Sequence, residues 1–116
     1  MKVYKLSREV SGTIFNLTKV FPVEERYSFT DQVRRSSRSV GAQIAEAWGK
    51  RKYELHFISK VTDADSEQLE TQHWIDISEE CKYIDSVTAK SLLHKCESIG
   101  KMLQSMMDKS STFCSK

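Results

Sequence analysis

The sequence predicts an all-α protein, an up-and-down antiparallel four-helix bundle, and three observations predict it. Apolar residues return every three or four positions through four successive segments, which is the spacing of one helical face. Four Gly and one Pro in 116 residues leave few breakers, favouring a few long helices over many short strands. The connections between the segments are short, and short connections force neighbouring helices antiparallel. With 39% hydrophobic residues the chain can bury a single core. Residues 1–109 are therefore read as one bundle domain and residues 110–116, SSTFCSK, as a frayed, flexible tail.

The first helix carries Val3, Leu6, Val10, Ile14, Leu17 and Phe21 at this spacing. Pro22 ends it, because a proline pushes the residue before it out of the helical region. The second helix occupies the stretch from Phe21 to Arg51. At 100° per residue, Phe29, Val33, Val40, Ile44 and Ala47 fall within an arc of about 60°, and Arg34, Arg35 and Arg38 lie roughly opposite within about 100°. Ser28 followed by Asp31 resembles a capping box with a shorter acid, and Gly49 marks the end. The third helix runs from about Tyr53 to Cys81, with Leu55, Ile58, Val61, Ala64, Leu69 and Ile75 inward. The fourth takes Asp85 or Ser86 as its cap and sets Ala89, Leu92, Cys96, Ile99, Leu103 and Met106 at alternating three and four spacing, the seam of a bundle helix.

Several function classes find no support in these residues. No apolar run approaches the roughly 20 residues a membrane span needs, and no charged, apolar, small-residue leader opens the chain, so a cytoplasmic protein is expected. Cys81, Cys96 and Cys114 are odd in number and lack C-x-x-C spacing, which suggests neither a disulfide framework nor a zinc site; Cys96 reads as a small core hydrophobe. Glu70-x-x-His73 is the carboxylate and imidazole pair of di-iron bundles, but that chemistry needs a second such pair and two further glutamates. His73 is therefore read as a structural histidine, and His56 and His94 are isolated. No Ser or Cys stands with a His and an acid in an activating pattern, and no Gly-rich phosphate loop occurs. No enzyme activity, metal or cofactor is expected.

Charge is distributed unevenly although the net value is only +2. Residues 1–52 hold eleven Lys or Arg against five Asp or Glu, giving +6, and residues 53–116 hold seven against eleven, giving −4. On one reading the basic second helix pairs with the acidic third, and the chain is a structural or protein–protein assembly module that binds no nucleic acid. On the other, Arg34, Arg35 and Arg38, with Lys50, Arg51 and Lys52 past the helix end, form a surface that meets the phosphates of RNA or DNA. Such contacts are individually weak, salt-dependent and mostly blind to sequence. Arg35, at the edge of the arc, is expected in a buried ion pair with Asp65 or Glu46. Asp65 is read as pointing into the core, where a carboxylate needs a partner such as an arginine of the second helix.

Two features are read as interface. Ser37, Gly41 and Ala45 recur four residues apart and Trp48 continues the stripe, so another helix, from this subunit or the next, can approach closely. Trp74 lies about 160° from Ile58 among Asp63, Glu67 and Glu70, where an aromatic ring marks a contact between subunits.

The stretch around the second helix also carries a resemblance. Phe21, Pro22, Glu25, Tyr27, Gln32, Arg34, Arg35, Ser39, Ile44, Ala45, Glu46 and Gly49 match the pattern F-P-x-x-E-x-Y-x-L-x-x-Q-x-R-R-A-x-x-S-I-x-x-N-I-A-E-G-x-G-R. Phe29, Ser36, Val40, Gln43, Ala47 and Lys50 depart from it, and Leu69, Glu70 and Gln72 match the second half of G-S-x-x-E-L-E-x-Q. This resembles the four-helix bundle proteins encoded within intervening sequences of bacterial large-subunit ribosomal RNA genes, whose relatives include the accessory variability protein of diversity-generating retroelements. The resemblance covers about half the chain. It implies an up-and-down four-helix bundle that assembles as a homopentamer, a link to nucleic acid, and reverse transcriptase as a protein partner.

Overall fold

A computed structural model of the chain describes residues 1–114. It is all-helical, with no strand among the described residues: α1 (Lys2–Thr18), α2 (Asp31–Gly49), α3 (Glu54–Glu80), α4 (Ser86–Asp108) and a single turn, α5 (Ser110–Phe113). Helix α1 packs on α2 and α4, and α3 packs on the same two. The molecule measures 50 × 26 × 18 Å, and no helix among the described residues is long and apolar enough to cross a membrane.

Helix α1 buries Val3, Ser7, Val10, Ile14 and Thr18, with Leu6 and Leu17 half-buried beside them. Phe21 lies past its end but turns inward, its ring 6.1 Å from that of Phe29 and 5.1 Å from that of Tyr83. A 3-10 turn at Val23–Glu25 and a π-helical stretch at Arg26–Thr30 then lead directly into α2. The capping box expected at Ser28 and Asp31 is therefore absent. Ser28 already sits within helical backbone, and its hydroxyl donates back to Glu25 at 3.4 Å. Along this π-helical stretch and α2 the apolar arc from Phe29 to Ala47 is buried throughout, as its spacing predicts. The helix stops at Gly49, although no glycine of the chain takes a left-handed backbone.

Helix α3 is rotated from the sequence expectation. Leu55 is 80% exposed and Leu69 56%, whereas the buried stripe is Phe57, Val61, Ala64, Gln68, Thr71, Ile75 and Ser78. These seven alternate four and three residues apart without a break, the spacing of a bundle seam. Three are polar, which hides the stripe from a reading by hydrophobicity. Each has a partner: Gln68 donates to Asp65 at 2.9 Å, Thr71 shares its one hydroxyl proton between the Ser36 hydroxyl of α2 at 3.0 Å and the Glu67 carbonyl at 2.9 Å, and Ser78 donates to the Trp74 carbonyl at 2.8 Å. Asp65 is half-buried and takes that amide in place of the expected arginine.

Between α3 and α4 the backbone amide of Tyr83 bonds the Ser78 carbonyl and that of Lys82 bonds the Glu79 carbonyl, both at 2.9 Å. This is a Schellman ending, and it places Lys82 in the left-handed region at φ 62°, where glycine is usual. Asp85 caps α4 as expected, accepting the Thr88 amide at 2.7 Å, a bond that holds its carboxyl below the usual range. All six seam residues of α4, Ala89 to Met106, are buried. Burial of Cys96 pushes its thiol up to about 12, in keeping with a core role.

Past α4 the chain packs back on the bundle as far as residue 114. Phe113 stacks on Phe57 at 6.1 Å and meets Trp48 edge-on at 6.2 Å, Ser110 donates to Glu54 at 2.6 Å, and Cys114 is buried. Residues 115 and 116 of the expected tail lie outside the described residues.

Two measurements test this packing. Leu92→Ala or Ile99→Ala is expected to lower stability by about 2 to 5 kcal/mol in chemical unfolding, whereas Leu69→Ala, on the outer face, changes it by about 0.5 kcal/mol or less. Lys82→Gly is expected to raise stability, by up to about 1 kcal/mol, because it relieves a left-handed backbone at some entropic cost.

Candidate functional site

The basic residues of α2 separate into groups with different fates. Arg35 turns toward α3, where one guanidinium nitrogen donates to Glu67 at 2.8 Å and the other to Glu70 at 2.6 Å. Its partners are thus neither Asp65 nor Glu46, and the pair is not buried, since the Arg35 side chain is 49% exposed. Glu46 pairs instead with Lys60 at 3.0 Å. The Trp74 indole N–H, 3.0 Å from Glu70, is the largest influence holding that carboxyl below its usual range, followed by Arg35. Glu70 is therefore already engaged, His73 is exposed with its ring 4.8 Å from that of Trp74, and no group of three or more metal-ligating side chains occurs among the described residues.

Arg34 and Arg38 turn the other way, toward α1, and converge on one ring. Their guanidinium carbons lie 4.7 and 5.1 Å from the centre of Phe15, and the Lys19 ammonium lies 4.9 Å from it. Arg34 is anchored there because its Nε–H donates to the Thr18 hydroxyl at 2.7 Å. Cations favour the electron-rich face of an aromatic ring, so Phe15 gathers three of them. Reading by periodicity passes over Phe15. The available signal is an aromatic residue lying off the buried stripe of α1 and one turn before a lysine.

Lys50, Arg51 and Lys52 form a second group past the end of α2, about 18 Å from Arg38 along the helix axis at 1.5 Å per residue. Arg51 donates to the Trp48 carbonyl at 2.8 Å and lies 3.7 Å from the centre of the Trp48 ring. Lys52 lies 5.9 Å from the ring of Tyr53, which is exposed. The six basic residues that the sequence singles out are thus two clusters beside aromatic rings, plus one arginine committed to α3.

The small-residue stripe divides as well. Ser37 is buried, and a methyl group added at Gly41 would meet the Ser7 hydroxyl at 3.1 Å, so here the close neighbour is α1 of the same chain. Ala45 and Trp48 remain exposed and border a cleft of about 580 Å³ with Met1, Tyr4, Ile44 and Phe113. Trp74 is half-buried, its ring edge-on to Phe29 at 5.4 Å.

The 23S rRNA-intervening sequence protein family matches residues 1–105 of the chain. Among solved structures, a protein of unknown function from the S23 ribosomal protein family of Bacteroides thetaiotaomicron VPI-5482 is similar, with 32% identity and a TM-score of 0.79 over 90% of this chain and 97% of that one. No curated protein matches.

The Arg35 pair makes a pH-dependent contribution. A carboxyl held below its usual range stabilises the fold above the unfolded-state value, and that contribution is lost as pH falls through the folded one. Glu70→Gln is expected to lower stability at pH 7 by about 1 kcal/mol or less, because the pair is half exposed. Thermal melts across pH should show the difference closing as the solution is acidified into the carboxylate range; a constant difference would separate the effect from ionisation.

Proposed function

The chain belongs to the 23S rRNA-intervening sequence protein family, and from that premise we propose that it is a non-catalytic, cytoplasmic accessory protein that binds RNA or DNA without sequence preference. The observation that carries this reading is uncompensated charge. Arg34, Arg38, Lys50, Arg51 and Lys52 have no carboxylate partner among the described residues, although acidic α3 packs alongside, while Arg35, Lys60 and Lys95 are all paired. Four of the five sit at an aromatic ring. Basic grooves interleaved with exposed rings suit single strands, whose phosphates meet the cations while their bases stack.

The scaffold in this proposal is an up-and-down antiparallel four-helix bundle. Two aromatic clusters support it. Phe21, Phe29 and Tyr83 gather the α1–α2 and α3–α4 connections, tied further by the Tyr83 hydroxyl donating to Glu25 at 2.9 Å. Trp48, Phe57 and Phe113 gather the end of α2, the start of α3 and the turn after α4. Assembly as a homopentamer, which the family resemblance implies, would repeat the basic surface and multiply weak contacts into useful affinity. The same resemblance makes reverse transcriptase a candidate protein partner. The second reading, an assembly module without nucleic acid, is favoured by the apolar cleft bordered by Trp48 and Ala45.

Arg38→Glu combined with Lys52→Glu tests the proposal, since both side chains are exposed and neither is ion-paired. In fluorescence anisotropy with a labelled generic oligonucleotide, the wild type is expected to lose roughly a hundredfold in affinity between about 50 and 200 mM salt, as about five single-strand phosphate contacts would give. The double variant is expected to keep its size in light scattering and lose binding. Retained binding at unchanged size would overturn the site. Dissociation into smaller species would favour the assembly module, and a monomeric wild type would defeat the pentamer.

A further inference from the structure

We propose that the cleft at the junction of α1 and α2 is a built site for a phosphate oxyanion, distinct from the extended basic surface although it shares Arg34 with it. The cleft encloses about 380 Å³, at the small end of the range for small-molecule sites. Its lining contains three cations, Lys19, Arg26 and Arg34, and no carboxylate. None of the three is ion-paired among the described residues. Glu25, next to Arg26 in sequence, is held by the Tyr83 hydroxyl. Cations gathered without a counter-charge repel one another, and a doubly charged anion between them reverses the sign of that energy.

A second, independent observation points to the same place. Thr30 lines this cleft, is only 4% exposed, and its hydroxyl is the one buried side-chain polar atom without a hydrogen-bond partner among the described residues. Thr18, also in the lining, differs: it donates to the Ile14 carbonyl at 2.8 Å and accepts Arg34 Nε–H. An unpaired buried hydroxyl is costly, and a phosphate oxygen is the acceptor that suits both it and the surrounding cations. The π-helical stretch Arg26–Thr30 presents both of its end residues to the cleft. Phe15 and Val23 supply apolar wall, so the phosphate can arrive either free or as part of a nucleotide.

Thermal unfolding and calorimetry of the intact chain test this with four probes: inorganic phosphate, adenosine 5′-monophosphate, adenosine, and potassium chloride at matched ionic strength. Saturable binding of phosphate or of the monophosphate, without response to adenosine or chloride, supports the site. Tighter binding of the monophosphate than of phosphate identifies a nucleotide as the source, and the reverse identifies free phosphate. Thr30→Val and, separately, Arg26→Ala are each expected to weaken that binding about tenfold or more, as loss of a hydrogen bond to a charged group does. Thr30→Val should unfold at or above the wild-type midpoint without ligand, because it removes an unpaired hydroxyl, and both variants should still bind a long oligonucleotide. Responses that merely track ionic strength, or affinities unchanged in both variants, would overturn the inference. Phosphate binding without oligonucleotide binding would overturn the proposed function alone, and the converse would overturn only this site.

Discussion

Along the middle of α3 the side chains facing inward are Ala64, Gln68, Thr71 and Ile75, and across from them stand Ser36 of α2 and Gly100 of α4. Small residues on facing helices bring backbones close, and here they do so on both sides of one helix. A methyl group at Gly100 would lie 2.9 Å from the Gln68 amide nitrogen, which is itself bonded to Asp65. At that separation a polar side chain can remain in the interior only if its partner is already in place, and Thr71 finds Ser36. Gln68 and Ser78 are satisfied within α3 itself, so the contact that ties the rotation of α3 to its neighbours is the Thr71–Ser36 hydrogen bond, together with the close approach of Gln68 to Gly100.

That rotation governs the electrostatics of the surface. With Gln68, Thr71 and Ile75 inward, Glu67 and Glu70 lie along the flank facing α2, where Arg35 meets both. Arg34 is its neighbour in sequence but lies 100° around the helix, so it cannot share those acids and faces α1. Ser37 and Gly41 let α1 lie close enough for Phe15 to serve as the platform for Arg34 and Arg38. The charge asymmetry of the sequence thus resolves in two ways at once. Part of the basic excess is neutralised against α3, and the remainder is concentrated beside aromatic rings. Within one helix, Arg35 is ion-paired to α3 and Arg34 and Arg38 are not.

The ends of the molecule follow from aromatic rings. Tyr83, between α3 and α4, reaches Phe21, Phe29 and Glu25, and the hydrogen bond to that carboxylate is the first cause pushing its phenol up to about 12. At the other end Phe113 closes over Phe57 and Trp48. The helical turns between Val23 and Thr30 are held by the first of these clusters through Phe29, and they carry Arg26 and Thr30 into the cleft with Lys19.

The sequence by itself determined that the protein is helical, where α1, α3 and α4 lie, which face of α2 and α4 is buried, and that Asp85 caps α4. These properties are local: apolar side chains repeating along one stripe, and a carboxylate reaching an amide three residues away, need no knowledge of any partner. The motif around α2 carried the family in the same way. Only the tertiary structure decided the face of α3, because Gln68, Thr71 and Ser78 look like surface residues although Gln68 and Ser78 find partners within the helix and Thr71 finds Ser36 once α2 packs alongside, while Leu55 and Leu69 look like core until no neighbour arrives to cover them. It likewise decided that Arg35 meets Glu67 and Glu70, that Phe15 collects cations, that Phe113 packs, and that Thr30, its hydroxyl buried and unpaired, shares a cleft lining with Lys19, Arg26 and Arg34. Each of these depends on residues far apart in the chain, and their distance in space is fixed only when the helices pack.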